Sequence, residues 1–177
     1  APTTAATPSA TAAGQCRVGR AVRPQGPPAR GVRVIAADTI HHARGFNPND
    51  PQFSTSQFAP QMMGAPAAWS TTMGSTAVTI CLVDTGIRYT HQDLAAHYSG
   101  GYDFVNKDNN PMDDGGHGTR TAGVAAAVIN NGVGVEGMAN VAVKSAKALD
   151  SAGSGYLANS STGIRWCADT GANSSSR

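Results

Sequence analysis

A run of apolar and β-branched residues from Thr76 to Val83 stops abruptly at Asp84-Thr85-Gly86. Val78, Ile80, Leu82 and Val83, interspersed with threonines, read as a buried strand of a parallel sheet. Asp84 then stands at the strand's carboxyl end, where open parallel sheets carry their functional groups. Downstream, the breaker run Asp113-Asp114-Gly115-Gly116 precedes His117-Gly118-Thr119-Arg120-Thr121-Ala122-Gly123. The second of these runs reads as a helix that starts just after the histidine, with Gly and Ala content that lets it pack closely against a sheet. Taken singly, an Asp-Thr-Gly and a His-Gly are common turns. Together, a strand-tip carboxylate and a helix-start imidazole can meet in space. The carboxylate then fixes the ring's tautomer and stabilises the imidazolium when it takes a proton. Asp84 and His117 are therefore the candidate catalytic pair.

The surrounding pattern alternates strands with helices. Gln57 to Thr72 contains a short helix with Pro66 at its first position and Trp69 facing inward. His91 to Ala96 forms a helical turn. Gly101 to Val105 is a strand with Tyr102 and Phe104 on one face, and Asn106 to Gly116 is a polar loop. The His117 helix stops before Asn130-Asn131-Gly132. Val141 to Leu149 is a strand, and Leu157 to Ala168 a helix burying Leu157, Ile164 and Ala168. This alternation predicts an α/β fold, a parallel sheet with crossover helices.

Composition sets the limits. Residues 1–14 are Ala, Thr, Pro, Ser and Gly, with too little apolar bulk to offset ordering entropy. That character continues to residue 46, so 1–46 reads as a low-complexity basic tail and 47–173 as the folded part. Ser174, Ser175, Ser176 and Arg177 read as a second tail. Residues 1–45 hold six arginines against Asp38, whereas the rest holds seven basic and ten acidic residues. The arginines lie among Pro, Gly and Ala without aromatics, the pattern of a solvated tail and not of a nucleic-acid arm. No apolar run approaches the roughly 20 residues of a membrane span. Three cysteines cannot all pair within one chain. Cys81 reads as a small buried hydrophobe, and no spacing suggests zinc.

The Asp84 and His117 segments resemble the Asp and His blocks of the subtilisin-like serine peptidases (subtilases), most of all the thermitase-like branch. Further segments resemble the family in the same order: Asn47 to Phe53, Ala65 to Trp69, His91 to Leu94, Gly100 to Val105 and Leu149 to Gly155. The resemblance runs from Asn47 to Asn173. It implies a subtilisin-like three-layer fold and a secreted endopeptidase acting on proteins or peptides, with Asp84 as orienting carboxylate and His117 as general base. Two residues depart from the family's His block. Arg120 stands where His is usual and is expected to face solvent, and Thr121 stands where Val, Ile or Cys is usual. The family's Gly-Thr-Ser-Met-Ala-type serine block and its oxyanion-binding asparagine do not occur in these 177 residues. The expectation is thus a catalytic domain truncated after its N-terminal half and inactive by itself. The alternative is a non-catalytic, calcium-stabilised half-domain that binds a complementary fragment or partner. The apolar patch Val32 to Ile40 resembles the end of a subtilase propeptide; a plain linker fits it equally.

The resemblance also implies calcium. Asp50, Asp93 and Asn131 are expected to offer side-chain oxygens to one site, and Val128, Val133 and Val135 backbone carbonyls. A second set is Asp103, Asn106 and Asp108, with Asn110 and Met112 through backbone oxygen. Turn chemistry explains the second loop equally well, and Lys107 lies inside it.

Overall fold

The structure, a computed structural model, describes residues 45–176. The propeptide or linker expectation for residues 1–44 lies outside the described residues.

Four parallel strands form one sheet in the order β2-β3-β1-β4. β1 is Thr79–Asp84, β2 Tyr98–Asp103, β3 Ala142–Lys147 and β4 Ser174–Ser176. Two short helices, α1 (Ala59–Met62) and α2 (Ala65–Trp69), precede β1. α3 (His117–Ala126) crosses from β2 to β3, and α4 (Leu157–Asp169) from β3 to β4.

The pleat of β1 explains the layering. Leu82 faces a core of Leu94, Ala122, Ala126, Ile87 and Val143, the α3 side. Cys81 and Val83 face the opposite core of Ala146, Ala148 and Cys167, the α4 side. Val78, expected in the buried strand, precedes β1 and is 44% exposed, whereas both faces of the strand are buried over residues 81–83, where its sequence is a continuous apolar run. Each such Val, Leu or Ile contributes about 1.5–3 kcal/mol by burial. A third core joins Phe53, Ala65, Trp69 and Ile129, with the Trp69 indole donating to the Met138 carbonyl at 3.0 Å.

Three expectations are corrected. Cys81 is not a free hydrophobe but is disulfide-bonded to Cys167, tying β1 to α4 across 86 residues. The terminal serines are not a tail: Ser174, Ser175 and Ser176 pair in parallel with Ile80, Cys81 and Leu82. Backbone pairing needs no apolar side chains, so composition could not reveal this strand. Finally, α4 buries Ser160, Gly163 and Cys167, while Leu157 is 68% and Ile164 39% exposed. The small residues face inward because the sheet lies close. A Cβ on Gly163 would stand 3.3 Å from Val83 and 3.4 Å from Ala146, and Cys167 reaches its sulfur partner on the same face.

Candidate active site

β1 ends at Asp84 and α3 begins at His117, and the two side chains meet. His117 Nδ1 lies 2.9 Å from each oxygen of the Asp84 carboxylate. A carboxylate accepts only, so Nδ1 carries the proton and Nε2 is left as the basic nitrogen. The side chain of Asp84 is 13% exposed and that of His117 72%. The carboxylate is therefore sheltered while the imidazole faces outward, and among the described residues the ring bonds only to Asp84. Asp84 Oδ1 also accepts the Thr85 amide at 2.7 Å. The approach of helix to strand depends on Gly118, where a Cβ would stand 2.1 Å from the Gly86 carbonyl oxygen. Arg120 is exposed, as expected, and its Nε donates back to the Gly116 carbonyl at 3.0 Å. A shallow depression lined by Thr85, Gly115, Leu149, Ser151, Ala152 and Gly153 adjoins His117.

A second cluster collects the residues of the first candidate metal set. Asn131 Nδ2 donates to Asp93 at 2.9 Å, and the Asn131 amide approaches Asp50 at 3.4 Å. The Asn130 amide is shared by Asp50, at 2.8 Å, and Glu136, at 3.1 Å. The Val135 amide donates to Asp93 at 3.0 Å, the Val133 amide to Asn131 Oδ1 at 2.8 Å, and the Val128 amide to the Asp93 carbonyl at 3.0 Å. Asp50, Asp93 and Glu136 are all buried, and among the described residues the ion pairs lie elsewhere, at His117–Asp84 and Lys147–Asp114. Glu136 is 0% exposed, and its Oε2 has no donor to accept from. Burial first, then the neighbouring Asp50 carboxyl, push Glu136 up to about 8, against the Asn130 amide. Among the described residues no three His, Cys, Asp or Glu side chains are grouped closely enough by themselves to hold a metal ion. The oxygen set is two aspartates, an asparagine and loop backbone, and its excess negative charge suits a hard cation.

In the second candidate set, the two aspartates accept donors of their own turn. Asp103 accepts the amides of Val105 at 2.7 Å and Asn106 at 2.8 Å, and Asn106 Nδ2 at 3.0 Å. Asp108 accepts the Asn110 amide at 2.8 Å, and Asn110 Oδ1 accepts the Tyr89 hydroxyl at 2.7 Å. The Pro111 carbonyl accepts the Ile87 amide at 3.1 Å.

A family model described as "Subtilase family" matches residues 75–176, the stretch that carries both blocks. The chain belongs to the subtilase family. Among its relatives, thermitase of Thermoactinomyces vulgaris is 45% identical over 72% of this chain and 46% of its own length. Halolysin of Haloferax mediterranei is 40% identical over 80% of this chain and 28% of its own. "Halolysin-like extracellular serine protease Nep" of Natrialba magadii is 41% identical over 71% of this chain and 24% of its own. This subtilase chain thus spans less than half the length of each of these relatives.

Sequence reasoning missed several polar residues of this subtilase. Lys147 is buried, and its Nζ donates to the Thr85 carbonyl at 2.6 Å, Asp114 at 2.5 Å and the Leu149 carbonyl at 3.3 Å. A lysine ending a strand, in register with Asp84, was the available signal. Asp113 anchors the loop before His117. Partial burial pushes its carboxyl up, but hydrogen bonds from Thr119, Gly116 and Thr85 outweigh this and hold it at about 2. Glu136 was signalled as the one acid in a loop of Gly and Val.

Proposed function

We propose that this chain contributes the Asp and His of a subtilisin-type serine endopeptidase. The observation that carries the reading is the Asp84–His117 contact at 2.9 Å, with Nε2 left outward. His117 Nε2 takes the hydroxyl proton of a serine as that oxygen attacks the scissile carbonyl. Asp84 holds the ring and stabilises the imidazolium, which then gives the proton to the leaving amine. On this reading the serine and the oxyanion donor come from outside these 177 residues, and the chain by itself is expected to turn over no peptide. The test uses the full-length protein and a chromogenic peptide anilide. His117→Ala lowers kcat by about a million-fold, the order measured for the histidine of subtilisin itself. Unchanged turnover sinks the reading.

Calcium is proposed at Asp50, Asp93 and Asn131, with the backbone oxygens of Val128, Val133 and Val135. Bound there, it supplies positive charge among buried carboxylates and joins the turn at Asp50 to the 128–136 loop. The orphaned oxygen of Glu136 favours it, as does the absence, among the described residues, of an ion pair to Asp50, Asp93 or Glu136. The 103–112 loop is read as turn chemistry, because Asp103 is already satisfied by loop donors.

Secretion is proposed on two grounds. The Cys81–Cys167 disulfide suits an oxidising compartment, and one relative is named as extracellular. The second reading, a half-domain that binds a complementary fragment, has one observation in its favour. Ile80, Leu82, Val124 and Ala125 line an open, largely apolar hollow beside β4. Either the rest of a catalytic domain or a separate fragment covers such a surface.

A further inference from the structure

The two halves of the Asp84–His117 pair lie on different elements, joined by no shared helix or strand. A third carboxylate bonds to the segments that carry both. Asp113 Oδ1 accepts the Thr85 hydroxyl at 2.8 Å and the amides of Gly115 and Gly116 at 2.9 and 2.7 Å. Its Oδ2 accepts the Thr119 amide at 2.8 Å and also the Thr119 hydroxyl. One carboxylate therefore holds the residue after Asp84, the two residues before His117 and the second residue after it. The Thr85 hydroxyl completes the tie by accepting the Gly118 amide at 2.9 Å.

These bonds also replace a missing cap. The N-cap of α3 is Gly116 in a left-handed conformation, with no side-chain cap of its own. Helix starts leave their first amides without intrahelical partners. Here the Gly118 and Thr119 amides are satisfied by Thr85 and Asp113, from outside the helix, and one of these partners belongs to the Asp84 turn. The helix end that carries His117 is thereby tied to the strand end that carries Asp84. A shift of about 1 Å between catalytic groups can cost about 100-fold in rate.

We infer that Asp113 and Thr85 are positioning residues, a carboxylate–hydroxyl clamp that fixes the catalytic aspartate and histidine in register. The inference rests on the functional reading above. Neither residue touches the reacting atoms.

The decisive variant is Thr85→Val, which keeps shape and charge and removes only the hydroxyl. In the full-length protein acting on a peptide anilide, kcat falls by about 10- to 100-fold while KM stays within about two-fold. The acid limb of the pH profile for kcat/KM moves to lower pH, because a looser contact stabilises the imidazolium less. No charge was removed, so that movement reports geometry. Thr85→Ser restores both values. Asp113→Asn shows the same loss of kcat, and should it fail to fold, Thr85→Val carries the test alone. The clamp is overturned if Thr85→Val leaves kcat and the acid limb in place. It is equally overturned if kcat falls with no movement of that limb, the mark of general loosening. His117→Ala, run beside them, separates the two failures. If it abolishes turnover while Thr85→Val is silent, the clamp falls and the peptidase reading stands. If it leaves turnover intact, both fall.

Discussion

Asp113 makes a stability statement as well as a geometric one. Its hydrogen bonds hold it at about 2, against 3.8 for the free carboxyl. A group whose folded pKa is depressed contributes stability that is fully present above the unfolded value and is lost as pH falls through the folded one. Stability should therefore decline as pH drops from about 4 towards 2. Asp113→Asn, which cannot titrate, should be less stable at neutral pH and show a shallower decline over that window. Urea unfolding midpoints between pH 2 and 6 check this, and parallel curves for the two proteins would contradict it. Asp113 was hard to read in advance for a physical reason. A carboxylate that serves five donors on three segments has the same sequence signature as one that merely favours turns. Asp84 and His117 were legible because one ends an apolar run and the other follows a breaker run at a helix start. The bond between them is then a consequence of the parallel crossover.

Among elements, β1 and α4 show how much patterning reveals. The strand was readable because a parallel sheet buries both its faces. The helix was placed within a residue of its observed ends, yet its inward face was assigned to Leu157, Ile164 and Ala168. Size governs that face instead, since Gly163 admits the sheet and Cys167 joins it. The disulfide was not legible, because spacing in sequence says nothing of which strand meets which helix face. Its contribution can be predicted. Closing a loop with a sequence separation of 86 is worth about 4–5 kcal/mol in the chain-entropy model. Cys81→Ala with Cys167→Ala should lower stability by about 2–5 kcal/mol, since strain and residual structure usually reduce the gain. Denaturant unfolding under non-reducing conditions measures it, and a loss below about 0.5 kcal/mol would show that packing alone holds α4. The same experiment bears on Asp84, which ends the strand that the bridge secures.

At the scale of the molecule, two surfaces are left with unfinished physics, and each yields a prediction. Asp50 and Asp93 are buried beside Glu136, whose carboxyl burial raises to about 8, and among the described residues none of the three is ion-paired. Calcium should raise the melting temperature, a chelator should reverse the gain, and Asp93→Asn should abolish the response by removing a ligand charge. Scanning calorimetry with and without chelator decides it; identical melts would remove calcium from this site. The other surface is the apolar one. Ile80, Leu82, Val124 and Ala125 open beside β4, and Val124 is 64% exposed. β4 is the last strand of the sheet, so one of its edges has no partner strand among the described residues. An apolar hollow beside an open edge is unfavourable in water, and polypeptide packed over both would stabilise the fold. Expressed by itself, the 177-residue chain should bind an apolar dye and self-associate at micromolar concentration. The full-length protein should do neither. Val124→Lys, placed in the hollow, should reduce dye binding and association by the short chain, yet destabilise the full-length protein by several kcal/mol through a buried, unpaired charge. The opposing effects of that single substitution measure whether the hollow is covered in the complete protein. A variant neutral in both contexts would show that the hollow stays in contact with water.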